Sequence, residues 1–135
     1  MEKSVADVLI RGIEDELYAA KAFLALTALT DRLDLQQRFI EYSQEESEHA
    51  LHLLKIYEKI SGSTNLQVPV RPLPEITDLY VFLTEYLADE ESAIFYYDIL
   101  IALKHEDMDH ALLQKIRDEE KCHFKILTEL VETIL

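Results

Sequence analysis

The sequence is poor in residues that cross-link a chain or interrupt a helix. Its 135 residues include one cysteine, Cys122, with two glycines, three prolines and no tryptophan. A lone cysteine excludes an intrachain disulfide and a Cys-x-x-Cys motif, and it favours a reducing compartment. The scarcity of glycine and proline predicts long helices.

Basic residues are also scarce. Thirteen Lys and Arg face 27 Asp and Glu, which gives a net charge of −14. This charge disfavours binding to nucleic acid or to anionic membranes and suits attraction of cations, although it also serves solubility alone. The amino terminus has no basic segment followed by an apolar run, and no run of 18 uncharged apolar residues follows. We therefore expect neither a signal peptide nor a membrane span, and a cytoplasmic location.

Helical periodicity is present in four segments, and no strand-like alternation interrupts them. Residues are 49% hydrophobic and 30% charged, which is typical of one globular domain, here residues 1–135. Each segment carries an apolar stripe with the spacing of a helix that faces a bundle. The predicted helix caps are Ser4, Asp34 and Asp107 for the first, second and fourth helices.

A repeat with an offset of 74 residues relates the two halves of the chain. Glu46-x-x-His49 recurs as Glu120-x-x-His123, and 30 residues before each pair stands one more glutamate, Glu16 or Glu90. Many apolar positions match at the same offset without a gap. A doubled unit of this kind predicts a pseudo-twofold fold with one shared site.

Six polar residues interrupt the apolar stripes at mid-helix: Glu16, Glu46, His49, Glu90, Glu120 and His123. Residues three apart on a helix share a face, so each Glu-x-x-His pair projects together. The free-energy cost of burying four carboxylates is prohibitive unless cations neutralise their charge, and two divalent ions would do so. One Glu from each of two helices, with Glu-x-x-His from the other two, is the pattern of dinuclear carboxylate bundles.

These motifs resemble those of rubrerythrin-type members of the ferritin-like di-iron carboxylate superfamily, over nearly the whole chain. The resemblance implies that Glu16 and Glu90 are terminal ligands, that Glu46 and Glu120 bridge two metals, and that His49 and His123 each bind one metal. It implies two iron ions, with manganese or zinc as alternatives. The implied fold is a ferritin-like four-helix bundle of two helical hairpins, joined by a long extended crossover at about residues 62–74, where proline is concentrated.

Two departures from the family pattern bear on function. A further glutamate expected one turn after Glu90 is replaced by Ala93 or Ile94, and the four-cysteine rubredoxin domain is missing. Electrons must then come from a separate donor protein. Tyr97, seven residues after Glu90, either hydrogen-bonds a ligand carboxylate or is a core aromatic residue.

We expect a redox protein that acts on hydrogen peroxide or O₂, by rubrerythrin-like peroxidase or ferroxidase chemistry. The alternatives are a non-catalytic iron-binding or storage protein and a dinuclear oxygenase of an organic substrate. Storage in a closed cage is disfavoured, since no fifth helix follows in the sequence. Alanines on an outer face of the first helix, including Ala19 and Ala22, indicate a homodimer or merely scattered surface apolar residues. Cys122 is expected to be a buried or half-buried thiol rather than a ligand.

Overall fold

The computed structural model describes residues 5–103 and 105–134, apart from the Ile134 side chain; most of these residues are helical, and none of them lies in a strand. The helices are α1 (Val5–Leu26), α2 (Leu33–Ser61), α3 (Leu79–Ala102) and α4 (His110–Ile134), with a short 3₁₀ turn at Thr27–Leu29. The predicted all-α class with four long helices is confirmed. Ser4, the predicted first cap, lies outside the described residues.

The chain divides into two compact units, Met1–Ile76 and Thr77–Leu135. In the first unit, α1 packs against α2. Phe23 lies at the centre of this interface, with its ring centroid 6.3 Å from that of Phe39 and 5.3 Å from that of Tyr42. The turn between the helices is fixed by the Gln36 side-chain amide, which donates hydrogen bonds to two backbone carbonyls of the turn, at 2.8 and 3.3 Å.

In the second unit, α3 packs against α4. Asp78 caps α3 by accepting a hydrogen bond from the backbone N–H of Val81 at 2.9 Å. The Phe82 and Tyr86 rings stack with centroids 5.8 Å apart. The core residues that are fully enclosed in this unit are Leu83, Tyr97, Leu100, Leu113 and Leu127.

Two predicted caps are wrong. Asp34 lies inside the first turn of α2, where Arg32 pairs with it at 2.8 Å and lowers the pKa of the Asp34 carboxyl by a hydrogen bond. Asp109, rather than Asp107, caps α4 by accepting from the N–H of Leu112 at 3.1 Å. Several acidic residues near a helix start compete for the cap, and backbone geometry rather than residue type selects among them.

α2 ends as predicted at Ser61, because Gly62 adopts a left-handed conformation with φ of 70°. The connection to α3 covers residues 62–78, four residues longer than predicted. Its packing in the first unit centres on Arg71, whose guanidinium carbon lies 3.5 Å from the centroid of the Tyr18 ring. The Arg71 guanidinium also pairs with Asp15 at 3.5 Å.

The face of α1 that was expected to be an outer alanine surface is not one. Ala19 and Ala22 are buried, with Ala22 fully enclosed. The alanine pattern therefore reflects close packing within the chain, and Ala19 and Ala22 indicate neither a homodimer nor scattered surface apolar residues. Separately, within the described residues no helix has the length and apolar character that crossing a membrane requires.

Candidate metal centre

Six of the described polar or charged side chains are buried, and they are the six that the repeat singled out: Glu16, Glu46, His49, Glu90, Glu120 and His123, none more than 3% exposed. Each lies in the middle of its helix on the stripe that faces the core. The stripe is apolar above and below, so the helical period carries these residues inward with their apolar neighbours.

In the first unit, α1 contributes Glu16 and α2 contributes Glu46 and His49. Nδ1 of His49 lies 3.3 Å from Oε2 of Glu16 and 3.6 Å from Oε1 of Glu46. One possible ligand atom from each residue falls within 4.8 Å of the others. We call these three residues the first trio.

In the second unit, α3 contributes Glu90 and α4 contributes Glu120 and His123, which we call the second trio. Nδ1 of His123 lies 4.0 Å from Oε2 of Glu120, and the ligand atoms of the three residues again fall within 4.8 Å of one another. The second trio matches the first residue by residue at the offset of 74. The structure thus places all six predicted ligands in two buried trios of the same composition.

Both trios fit a divalent transition metal ion. Ligand atoms that each lie about 2.1 Å from one ion are about 3 Å apart at right angles and at most about 4.2 Å apart. The measured nitrogen–oxygen distances of 3.3, 3.6 and 4.0 Å fall within this range. Imidazole with carboxylates suits iron, manganese and zinc better than magnesium or calcium.

Charge balance favours metal over an ion pair without metal. Each trio holds two carboxylates and one imidazole, so a protonated histidine would leave one net negative charge buried in each unit. A divalent ion bound with neutral imidazole would balance both carboxylates. Uncompensated buried charge costs several kcal/mol. A bound divalent ion would therefore stabilise each trio more than protonation of its histidine alone.

The aromatic residues seven positions after Glu16 and Glu90 are both enclosed. Phe23 and Tyr97 have no exposed surface, and the Tyr97 ring meets the Tyr96 ring edge-on with centroids 5.2 Å apart. Tyr97 is therefore a core residue, as one of its two predicted roles requires. A hydrogen bond from its hydroxyl to a ligand carboxylate stays a prediction.

Acidic neighbours of the ligands separate by burial. Glu45 and Glu119, at matched positions before Glu46 and Glu120, are half-buried, whereas Glu91 beside Glu90 is exposed. Cys122, next to His123, is exposed rather than buried or half-buried, so the expectation about its burial is wrong. It lies one residue off the buried stripe, and one step along a helix turns a side chain by about 100°.

The contacts of the connection with α1 were missed by sequence reasoning. A groove of about 420 Å³ lies between α1, α2 and residues 68–71, lined by Leu17, Tyr18, Lys21, Leu24, Ser47 and Arg71 among others. Lys21 donates a hydrogen bond from Nζ to the backbone carbonyl of Arg71 at 2.8 Å. These partners are 50 residues apart and follow no helical period, so no sequence signal pointed to them.

No protein-family model matches the chain, and no curated protein matches it significantly. The metal-site interpretation therefore depends on the residues themselves. It draws on their burial, their distances and their repetition.

Proposed function

We propose that the chain is a ferritin-like di-iron protein of rubrerythrin type, in which the two trios together hold two iron ions that react with hydrogen peroxide or O₂. The observation that carries this proposal is the burial of two trios of the same composition, each with one Glu and one Glu-x-x-His pair. In each trio the two carboxylates carry more negative charge than one histidine can balance. Few roles other than metal binding account for four enclosed carboxylates.

The resemblance assigns a role to each residue. Glu16 and Glu90 each bind one ion from a single-glutamate helix, and His49 and His123 each add a nitrogen ligand. Glu46 and Glu120 would supply the remaining carboxylate ligands, which the family that the chain resembles shares between the ions. Because each carboxylate has two oxygens, it would offer a ligand atom to each ion.

The aromatic residues that follow the single glutamates are enclosed. Phe23 in the first unit and Tyr97 in the second have no exposed surface and lie two helical turns after Glu16 and Glu90. An enclosed apolar surround strengthens each carboxylate–metal interaction and slows exchange with water. Two ferrous ions held there would supply the two electrons that, with two protons from solvent, reduce hydrogen peroxide to two molecules of water.

The electrons that return iron to the ferrous state must come from a second redox group. The sequence holds one cysteine, too few for a rubredoxin-type iron site. We propose a separate electron-donor protein. Acidic residues over the rest of the surface favour the approach of iron as a cation.

The test is the reaction of the ferrous protein with peroxide. Protein loaded anaerobically with two equivalents of Fe²⁺ is mixed with one equivalent of hydrogen peroxide, and peroxide loss and iron oxidation are followed by stopped flow. We expect both to finish together within seconds. Protein loaded with Zn²⁺ is the control, because zinc has no accessible redox change. Iron that binds but oxidises no faster than free iron would contradict the proposal.

A further inference from the structure

The exposed side of α3 carries a second stripe, made of apolar or small residues, which we call the α3 outer face. It consists of Val81, Ala88, Ser92, Phe95, Ile99 and Ala102, all exposed. Phe95 is 67% exposed, and Val81 and Ile99 are 52% and 42% exposed. A helix that packs on one side normally has a single apolar stripe, so a second stripe of this length marks an interaction surface.

Acidic residues border the α3 outer face on both sides. At 100° per residue, Glu91 and Asp98 lie on one side of Phe95, and Glu85 lies on the other. All three are exposed, and Asp98 pairs with Arg117 at 3.1 Å. The whole chain carries a charge of −14. Charge complementarity therefore favours a basic occupant over a second copy of this acidic chain.

The first half of the chain shows how such a face is covered. At the offset of 74, Asp15, Tyr18 and Lys21 on α1 match Asp89, Ser92 and Phe95 on α3. On α1 this region is covered by the extended residues 68–71. Arg71 lies over the Tyr18 ring and pairs with Asp15. An extended apolar segment with one arginine is thus the cover that the protein itself uses.

We propose that the α3 outer face binds an extended, arginine-bearing apolar segment of another protein. The arginine lies over the exposed Phe95 ring and pairs with Glu91, which is one helical turn before Phe95. These contacts are of the kind that Arg71 makes with Tyr18 and Asp15, at positions shifted from those that the offset of 74 matches. Apolar residues of the segment cover Ala88 and Ile99. This inference does not depend on the metal ions or on their chemistry.

The probe is a fluorescein-labelled peptide with the sequence of residues 64–74, which includes residues 68–71 that cover α1. Its fluorescence anisotropy is measured during titration with the full-length protein. We expect a saturable increase that weakens as salt is added, because exposed charges are screened. A peptide with glutamate in place of its arginine should bind at least about tenfold more weakly.

Variants of the protein locate the binding. Phe95→Ser and Glu91→Lys should each weaken binding at least about tenfold, whereas Leu51→Ser, at an exposed leucine of α2, should leave it unchanged. Circular dichroism of each variant checks that it is folded. Binding that survives Phe95→Ser, or no saturable binding up to about 1 mM protein, would overturn the proposal.

Light scattering tests the competing occupant. If the protein alone forms a dimer that Phe95→Ser dissociates, the face is covered by a second copy and the proposed occupant is wrong. A monomer, or a dimer that Phe95→Ser leaves intact, is the expected result. All of these measurements can be made without iron, so failure of the peroxide reaction leaves them unaffected.

Discussion

Nδ1 of His49 lies 3.3 Å from Oε2 of Glu16, although these residues are 33 positions apart and belong to different helices. Both side chains are almost wholly enclosed. Packing of α1 against α2 thus brings a nitrogen and an oxygen to the separation expected of two ligands on one ion. The second unit repeats this arrangement with Glu90, Glu120 and His123.

Replacement of His49 should abolish metal binding by the first trio. We expect His49→Ala to reduce bound iron from two ions per chain to about one, because the first trio loses its only nitrogen ligand. His52→Ala is the matched control, one turn away on α2, and it should keep two. Elemental analysis after anaerobic loading gives the count. Full occupancy in His49→Ala would show that the histidine is not a ligand.

The choice of Glu90 over its neighbour is tested by an adjacent pair of variants. Glu90 is 1% exposed, whereas Glu91 is exposed. Glu90→Gln should weaken iron binding at least about tenfold, the loss expected of a charged ligand, and Glu91→Gln should not change it. Competition with a calibrated chelator measures both affinities. If the two changes weaken iron binding equally, Glu90 is not the ligand that distinguishes this position from its neighbour.

Much of this fold could be predicted from the sequence, because the site residues follow the helical period and recur at one fixed offset. Glu46 and His49 interrupt an apolar stripe at helical spacing, and Glu120 and His123 repeat the interruption, so burial and pairing were both predictable. The caps at Asp34 and Asp107 were predicted wrongly, since several acidic residues near each helix start could serve.

Contacts made by residues that follow neither the helical period nor the repeat could not be predicted from the sequence. The cover that Arg71 forms over Tyr18 joins residues about 50 positions apart in an extended segment, where no repeat indicates the partner. The burial of Ala19 and Ala22 and the exposure of Cys122 also depend on which flank of a helix is covered. Residue type alone does not decide that.

Neutralising one buried carboxylate should have opposite effects with and without metal. In metal-free protein, Glu46→Gln should stabilise the fold by about 1–3 kcal/mol, because it removes repulsion and the cost of a buried charge. In iron-loaded protein it should lower stability, since it removes a ligand and the coupled binding energy. Urea unfolding of both forms, under anaerobic conditions for the loaded protein, measures the two changes. Destabilisation in both forms would contradict the charge argument.

Tyr97 can be separated into its ring and its hydroxyl. Tyr97→Phe, which recreates the Phe23 of the first repeat, should retain two ions and lose about 0.5–1.5 kcal/mol of stability. Tyr97→Ala should lose about 3–5 kcal/mol by opening a cavity. Thermal unfolding measures both. The rate of peroxide loss then assigns the hydroxyl: an unchanged rate in Tyr97→Phe indicates a core role, and a slower rate indicates a hydrogen bond to a ligand.

The most direct test of the central claim is Mössbauer spectroscopy of protein loaded with two equivalents of ⁵⁷Fe²⁺ and then oxidised. If Glu46 and Glu120 hold both ions, as proposed, all of the iron should form one antiferromagnetically coupled pair per chain, with no paramagnetic ferric signal. Two uncoupled ferric ions, or binding of fewer than two ions per chain, would contradict a dinuclear centre.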